Sequence, residues 1–195
     1  MVDGFYWVGN HPGVDFVNTE AAGPRGEPLD LIESWDDVMA WAVAAGLVAA
    51  PSDGARSRLT GRRAGGALDW ARRLRAGGRQ VLDPRGDDPA GGADLLAETV
   101  ADVPVRLAYR LDARPGTPPV DPADPVDGLR LVLALAVLDA AQLDRSRVRC
   151  CEGERCVLLF YDTSKNRSRR WCDMAACGNR AKAAAHYQRA RRRTS

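Results

Sequence analysis

The chain has no apolar run near the roughly 20 residues that a membrane-spanning helix requires. Its longest apolar stretch, LRLVLALAVLDAAQL, has the length of a buried core helix. The opening MVDGFYWVGNHPG has neither a basic start nor an apolar signal core. A soluble, cytoplasmic protein with no membrane partner is therefore expected. Only two histidines are present, His11 and His186. Neither has the flanking partners of a Ser–His or Cys–His catalytic device, and no His-x-Glu precedes a Pro-Cys pair as a zinc deaminase needs. No paired acid and base and no phosphate-cradling glycine loop stands out. An enzyme is not expected. Cysteine is missing from the first 149 residues, and all five cysteines crowd the last quarter.

What remains is enough for one ordinary domain and a small module. Of the 195 residues 45% are hydrophobic and 28% charged, so a packed core is within reach. The net charge is only +2, but it is unevenly placed. From position 145 onward, 14 Lys and Arg face 4 Asp and Glu, whereas the rest is net negative. This asymmetry predicts a basic interaction module on an acidic body, or else a solvated face that keeps the protein soluble.

Several segments read as helices. In SWDDVMAWAVAAGL, Ser34 can cap the first turn, with Asp37 completing a capping box. Val38, Trp41 and Ala45 share a face, and Gly46 suits the stop. ALDWARRLRAGGRQVL has helical spacing, with its end weakened by Gly77 and Gly78. GADLLAETVADV and PVDGLRLVLALAVLDAAQL are further helices. Alternation from Val105 to Leu111, followed by a turn signal, predicts one short hairpin. PRGDDPAGG and RPGTPPVDPADP read as loops. Trp7, Trp35, Trp41 and Trp70 fit core positions better than a ligand cage. The body is therefore expected to be mainly α, over residues 1–144, with a basic module over 145–195.

The cysteines form two matched pairs, Cys151-x4-Cys156 and Cys172-x4-Cys177, separated by fifteen residues. Zinc prefers a tetrahedron of thiolates, and a short segment with little apolar surface gains its missing stability from the metal. Disulfides and an iron–sulfur cluster are the competing readings; a reducing compartment disfavours the first. Cys150 could replace Cys151 as a ligand, although the equal gaps favour Cys151. Four thiolates leave no open coordination position, which makes such a zinc structural. Trp171, beside Cys172, is expected to pack against the metal site rather than stack on a base.

CGNRAK, preceded by DTSKNRSRRWCDMAAC, resembles the CGNR zinc-finger family over about residues 149–193. WVGNHPGVDFVNTE and SWDDVMAWAVAAGLV resemble the ABATE domain that precedes this finger, through Asp15, Phe16, Asn18, Thr19, Trp41 and Gly46. The resemblance implies a mainly helical body and a treble-clef-like module holding Zn2+ through Cys151, Cys156, Cys172 and Cys177. It also implies a stress-linked transcription regulator that binds DNA. Gly178 would allow a close turn around a sulfur, Asn179 would cap the next helix, and Arg180 would meet Asp162 or a phosphate.

The expected nucleic-acid contacts are Lys165, Arg167, Arg169 and Arg170 in the inter-pair loop. Arg180, Lys182, Arg189, Arg191, Arg192 and Arg193 join them on an alanine-rich terminal helix. Phosphate contacts alone do not separate DNA from RNA. Asn18 and Thr19 are candidates for a small-molecule effector pocket, or for capping the next turn. A second reading, from another class, is a thiol or zinc redox sensor acting through protein interactions. In it Cys150 would be a reactive thiol, activated by Arg149.

Overall fold

A computed structural model describes residues 1, 3–50, 61–107, 120–122 and 125–193, with the backbone alone at 105–107, 120–122 and 193. The chain is mainly α. Helices α1 (Pro12–Val17), α2 (Trp35–Ala44), α3 (Gly61–Leu82), α4 (Pro89–Ala101), α5 (Pro125–Ala141) and α6 (Asn179–Arg193) are joined by six strands of three residues. The strands pair antiparallel as β1 (Glu20–Ala22) with β2 (Pro28–Asp30), β3 (Val105–Leu107) with β4 (Val120–Pro122), and β5 (Val148–Cys150) with β6 (Leu159–Tyr161).

Helix α2 starts where its capping chemistry says it should. The Ser34 hydroxyl accepts from the Asp37 amide at 3.2 Å, and the Asp37 carboxylate accepts from the Ser34 amide at 2.8 Å. Gly46, at φ +70°, takes the left-handed conformation that ends it. Helix α3 is the spine, with α4, α5, α1 and α2 packed on it. Gly77 and Gly78, expected to weaken its end, lie within α3, which runs on to Leu82. Neighbours approach both positions too closely for a side chain. A Cβ on Gly78 would meet Val137 at 2.9 Å and Val17 at 3.0 Å. The expected loop PRGDDPAGG is also partly helical. Asp88 caps Gly91 and Pro89 opens α4, so the cap and proline at its end outweigh the glycines.

The tryptophans build the main core, as expected. Trp41 and Trp70 are fully buried; Trp7 stacks on Trp41 at 5.9 Å, and Phe16 meets its edge at 5.0 Å. The Trp70 indole donates to the Thr99 carbonyl at 2.7 Å, so its one polar group is satisfied. From α3, the buried Arg75 forks onto both oxygens of Asp30 at 2.6 and 2.9 Å, tying β2 to the spine. The expected hairpin strand began at Val105, where β3 begins; its portion from 108 to 111, and most of the loop after it, lie outside the described residues. The β1–β2 and β5–β6 pairs were not anticipated. Three residues are too few for alternation to register.

The carboxy-terminal segment is interlocked with the body. Val14, Val17, Leu82 and Ala140 share one buried cluster with Val148 and Leu159 of β5 and β6. The Tyr161 amide donates to the Gly9 carbonyl at 2.8 Å, and Arg79 of α3 reaches the Val157 carbonyl at 3.0 Å. A second cluster joins Tyr6, Val8, Ala21 and Leu29 of the body to the cysteines and Phe160.

Candidate metal centre

Four thiols converge on one point. The Sγ atoms of Cys151, Cys156, Cys172 and Cys177 all lie within 4.8 Å of one another. Cys156 and Cys172 are 3.8 Å apart, Cys172 and Cys177 3.7 Å. A tetrahedron with metal–sulfur bonds of about 2.3 Å has an S···S edge of about 3.8 Å. All five cysteines are free thiols, and disulfide sulfurs would sit only about 2.05 Å apart. The disulfide reading is thereby set aside for this set.

The local geometry follows from the chain. Cys151 directly follows β5, where its amide donates to the Leu158 carbonyl at 3.0 Å. The knuckle then turns through Gly153, whose amide donates to Cys151 Sγ at 3.3 Å, and through Arg155 at φ +61°. The Glu152 amide donates to the Arg170 carbonyl at 2.9 Å, setting the register between the two cysteine pairs. The Cys172 amide donates to Cys151 Sγ at 3.3 Å. Cys177 sits in a π-helical turn, Met174–Gly178, capped by Asp173, which accepts from the Ala175 amide at 2.7 Å. The expected cap, Asn179, is instead already helical and donates to the Ala175 carbonyl at 3.2 Å, because the π turn runs straight into α6.

The electrostatics also ask for a cation. Cys151 is pulled down to about 2, first by hydrogen bonds from the Cys156 and Cys172 thiols and then by backbone amides. Cys156 is pushed up to about 12 and Cys172 is raised further, each first by its hydrogen bond with Cys151. Four adjacent thiols cannot all ionise against each other's charge; a divalent cation at their centre removes that conflict. Arg180 does not meet Asp162, which is buried and accepts from the Ser164 and Arg169 amides. It donates to Cys177 Sγ at 3.0 Å, a second-layer contact that spreads thiolate charge.

Cys150 stays outside the cluster. Its thiol donates to Asp83 Oδ1 at 3.0 Å, and burial, followed by that carboxylate, pushes it up to about 12. The reactive low-pKa thiol expected beside Arg149 is therefore corrected: an acid faces this sulfur.

Gly153 was not singled out from sequence, although a glycine two residues after the first cysteine of a pair is a signal for this turn. A Cβ there would meet Cys177 Sγ at 2.9 Å and Cys151 Sγ at 3.3 Å. Gly153→Ala is expected to weaken metal retention at least tenfold, since about 1.4 kcal/mol of strain at the sulfurs suffices for that. Competition with a colorimetric chelator measures it, and unchanged retention would refute the crowding.

Residues 10–147 match the ABATE family model, described as "Putative stress-induced transcription regulator". The chain belongs to the ABATE family. Residues 147–190 match the CGNR zinc finger, so the four-cysteine cluster falls inside a CGNR finger carried by an ABATE body. No curated relative matches the chain.

The finger's basic residues fall into two groups. In the inter-pair loop, Arg169 is a strut. It lies over the Phe160 ring at 4.2 Å and donates to the carbonyls of Trp171, Val8 and Cys172. Arg170 pairs with Glu152 at 2.5 Å, and Arg167 donates to Ser146 Oγ at 3.0 Å near Asp144. Lys165 is exposed. On α6, Arg180 holds the sulfur, while Lys182, Arg189, Arg191 and Arg192 are exposed. The Arg193 side chain lies outside the described residues. Trp171 is half-buried against the cysteine cluster, as expected.

Asn18 faces the ABATE–CGNR seam, whereas Thr19 is bonded within the body. Both are 1% exposed. Asn18 accepts from the Leu159 amide and donates to its carbonyl, each at 2.8 Å, like one more strand residue beside β6. The Thr19 hydroxyl donates to the Phe16 carbonyl at 2.7 Å and accepts from Arg75 at 3.2 Å. Their polar atoms are committed to the protein, which leaves nothing to hold an effector. Asn18→Ala strands a buried amide and carbonyl and is expected to cost about 2–4 kcal/mol in urea unfolding. A loss under about 0.5 kcal/mol would remove the latch.

His11 is more than a loop residue: its Nδ1 accepts from the Gly13 amide at 3.1 Å and caps α1. His186 is exposed on α6 beside Tyr187. Asp15, in α1, is raised to about 6 by burial, against the pull of the Gly9 and Val8 amides. The folded protein holds this proton over a range where the unfolded chain, at an ordinary 3.8, has released it. Stability from this group is therefore greatest below pH 4 and falls as pH rises to 6, by up to about 3 kcal/mol. Asp15→Asn is expected to abolish that slope and to be more stable at pH 7.5. Urea midpoints at pH 4.5 and 7.5 test this; a slope equal to wild type refutes it.

Proposed function

We propose that this protein is a DNA-binding transcription regulator whose CGNR finger is organised by one structural zinc ion. Cys151, Cys156, Cys172 and Cys177 hold the zinc, their soft sulfurs and tetrahedral edges fitting it. Bound, the ion supplies shape and charge compensation rather than chemistry, because four thiolates fill its coordination sphere. Zinc with four thiolates adds −2 to the module's +10, so the finger stays strongly basic.

The observation that carries the reading is α6, rooted at Cys177 and exposed beyond its first turns, with Lys182, His186 and Arg189 along one stripe. At 3.6 residues per turn, positions 182, 186, 189 and 193 fall within one narrow arc, and position 192 borders it on the Arg189 side. Such a stripe follows a phosphate backbone. Most loop guanidiniums serve the finger's own carbonyls and acids, so the helix carries most of the contacts. Anisotropy with mixed-sequence duplex DNA, from 25 to 300 mM salt, tests the reading. Affinity is expected to fall steeply with salt, and no binding to duplex at 25 mM would end the proposal. Parallel titration with duplex RNA decides between the nucleic acids.

A further inference from the structure

Asp15 is only 8% exposed, and half of its carboxylate is unspoken for. Oδ1 accepts from the Val8 amide at 3.0 Å and the Gly9 amide at 2.7 Å. Oδ2 receives no hydrogen bond from the described residues, and none of their cations comes within ion-pair distance of it. The acid lines a cavity of about 230 Å³ together with Trp7, His11, Ala44 and Ala45. His11 cannot serve Oδ2 from its Nδ1, which accepts from Gly13; its proton therefore sits on Nε2, 2.9 Å from Asp139. The cavity thus offers one anionic oxygen, an indole, an imidazole ring, a proline ring, two methyl groups and the carboxamide of Asn10, whose Nδ2 already donates to the Tyr161 carbonyl at 3.0 Å.

We propose that this cavity is a binding site for a small organic ammonium ion, an aliphatic amine of up to about seven non-hydrogen atoms at roughly 30 Å³ each. The ammonium donates to Asp15 Oδ2, the Trp7 indole adds cation–π attraction, and Ala44 and Ala45 receive the alkyl part. Calcium or magnesium is a poor occupant. Each requires about six oxygen ligands, and among the described residues Asp15 is the only carboxylate lining the cavity. A neutral alcohol leaves the buried charge uncompensated. The acid's reluctance to ionise when alone, described above, is relieved by such a cation.

The position connects the cavity to the finger. The two residues whose amides hold Asp15 also present their carbonyls to the other side: Val8 to Arg169, and Gly9 to the Tyr161 amide. The site is separate from Asn18 and Thr19, and it does not depend on the finger's nucleic-acid role.

The test uses the full metal-loaded chain at pH 7.5, followed by thermal unfolding and tryptophan fluorescence. Propylammonium chloride is titrated against 1-propanol and against sodium chloride at equal ionic strength. A saturable rise in unfolding temperature with propylammonium is expected, at least fivefold stronger than with either control. Asp15→Asn should lose that response while remaining folded. Ala44→Leu, which enlarges a side chain lining the cavity and leaves the acid in place, should weaken it at least tenfold. Equal responses of wild type and Asp15→Asn, or a propylammonium response no larger than that of sodium, would overturn the proposal.

Discussion

Cys172→Ser is expected to yield a protein with no bound metal, an unfolded carboxy-terminal segment and no measurable duplex binding. Cys172 is buried at the centre of the cluster, in sulfur contact with both Cys156 and Cys177, and its own amide supports Cys151. A serine oxygen is a harder, shorter and less readily ionised donor than a thiolate. Structural zinc contributes on the order of 10–16 kcal/mol to the folding of small fingers, as much as the net stability of a whole domain. The damage is expected to spread. Leu159 and Phe160 are fully buried, and β6 is clamped by Asn18 and Gly9, so loss of the finger exposes part of the ABATE core. Elemental analysis should fall from one metal per chain to none, with a lowered unfolding temperature. Cys150→Ser should keep its metal, since that sulfur points at Asp83. A Cys172→Ser protein that retains a full equivalent of metal would refute the centre.

Replacing Lys182, Arg189 and Arg192 together with serine should weaken duplex binding about a hundredfold at 150 mM salt. The slope of log affinity against log salt should become shallower by about 2.7, three contacts at roughly 0.9 each. Stability should hardly change, because all three side chains are exposed. That combination, lost affinity with an intact fold and full metal content, separates phosphate contact from general damage. An unchanged salt slope would place the interface elsewhere.

Much of this molecule is readable from local pattern. Ser34 and Asp37 cap α2 through bonds spanning three residues, and Gly46 ends it through its own backbone freedom. The equal spacing of the two cysteine pairs picks out the four sulfurs that converge, and favours Cys151 over Cys150. Each of these features involves a few neighbouring residues, so sequence order and spatial order coincide. Where reading failed, the partner was distant. Gly77 and Gly78 look like helix breakers until Leu96, Val17 and Val137 arrive against them. Asn18 and Thr19 look like pocket residues until β6, 141 positions on, meets the Asn18 amide. Arg169 looks like a phosphate contact until Val8 presents its carbonyl from the far end of the chain.

Helix caps, the four converging sulfurs and the placement of positive charge were thus written into short stretches of the chain. The joining of finger to body, the partners of the loop arginines and the buried acid beside Trp7 were decided only when remote segments packed. Hydrogen-bond donors and acceptors are chemically alike wherever they occur. Which ones remain for a metal, a phosphate or an amine depends on which ones the fold has already satisfied.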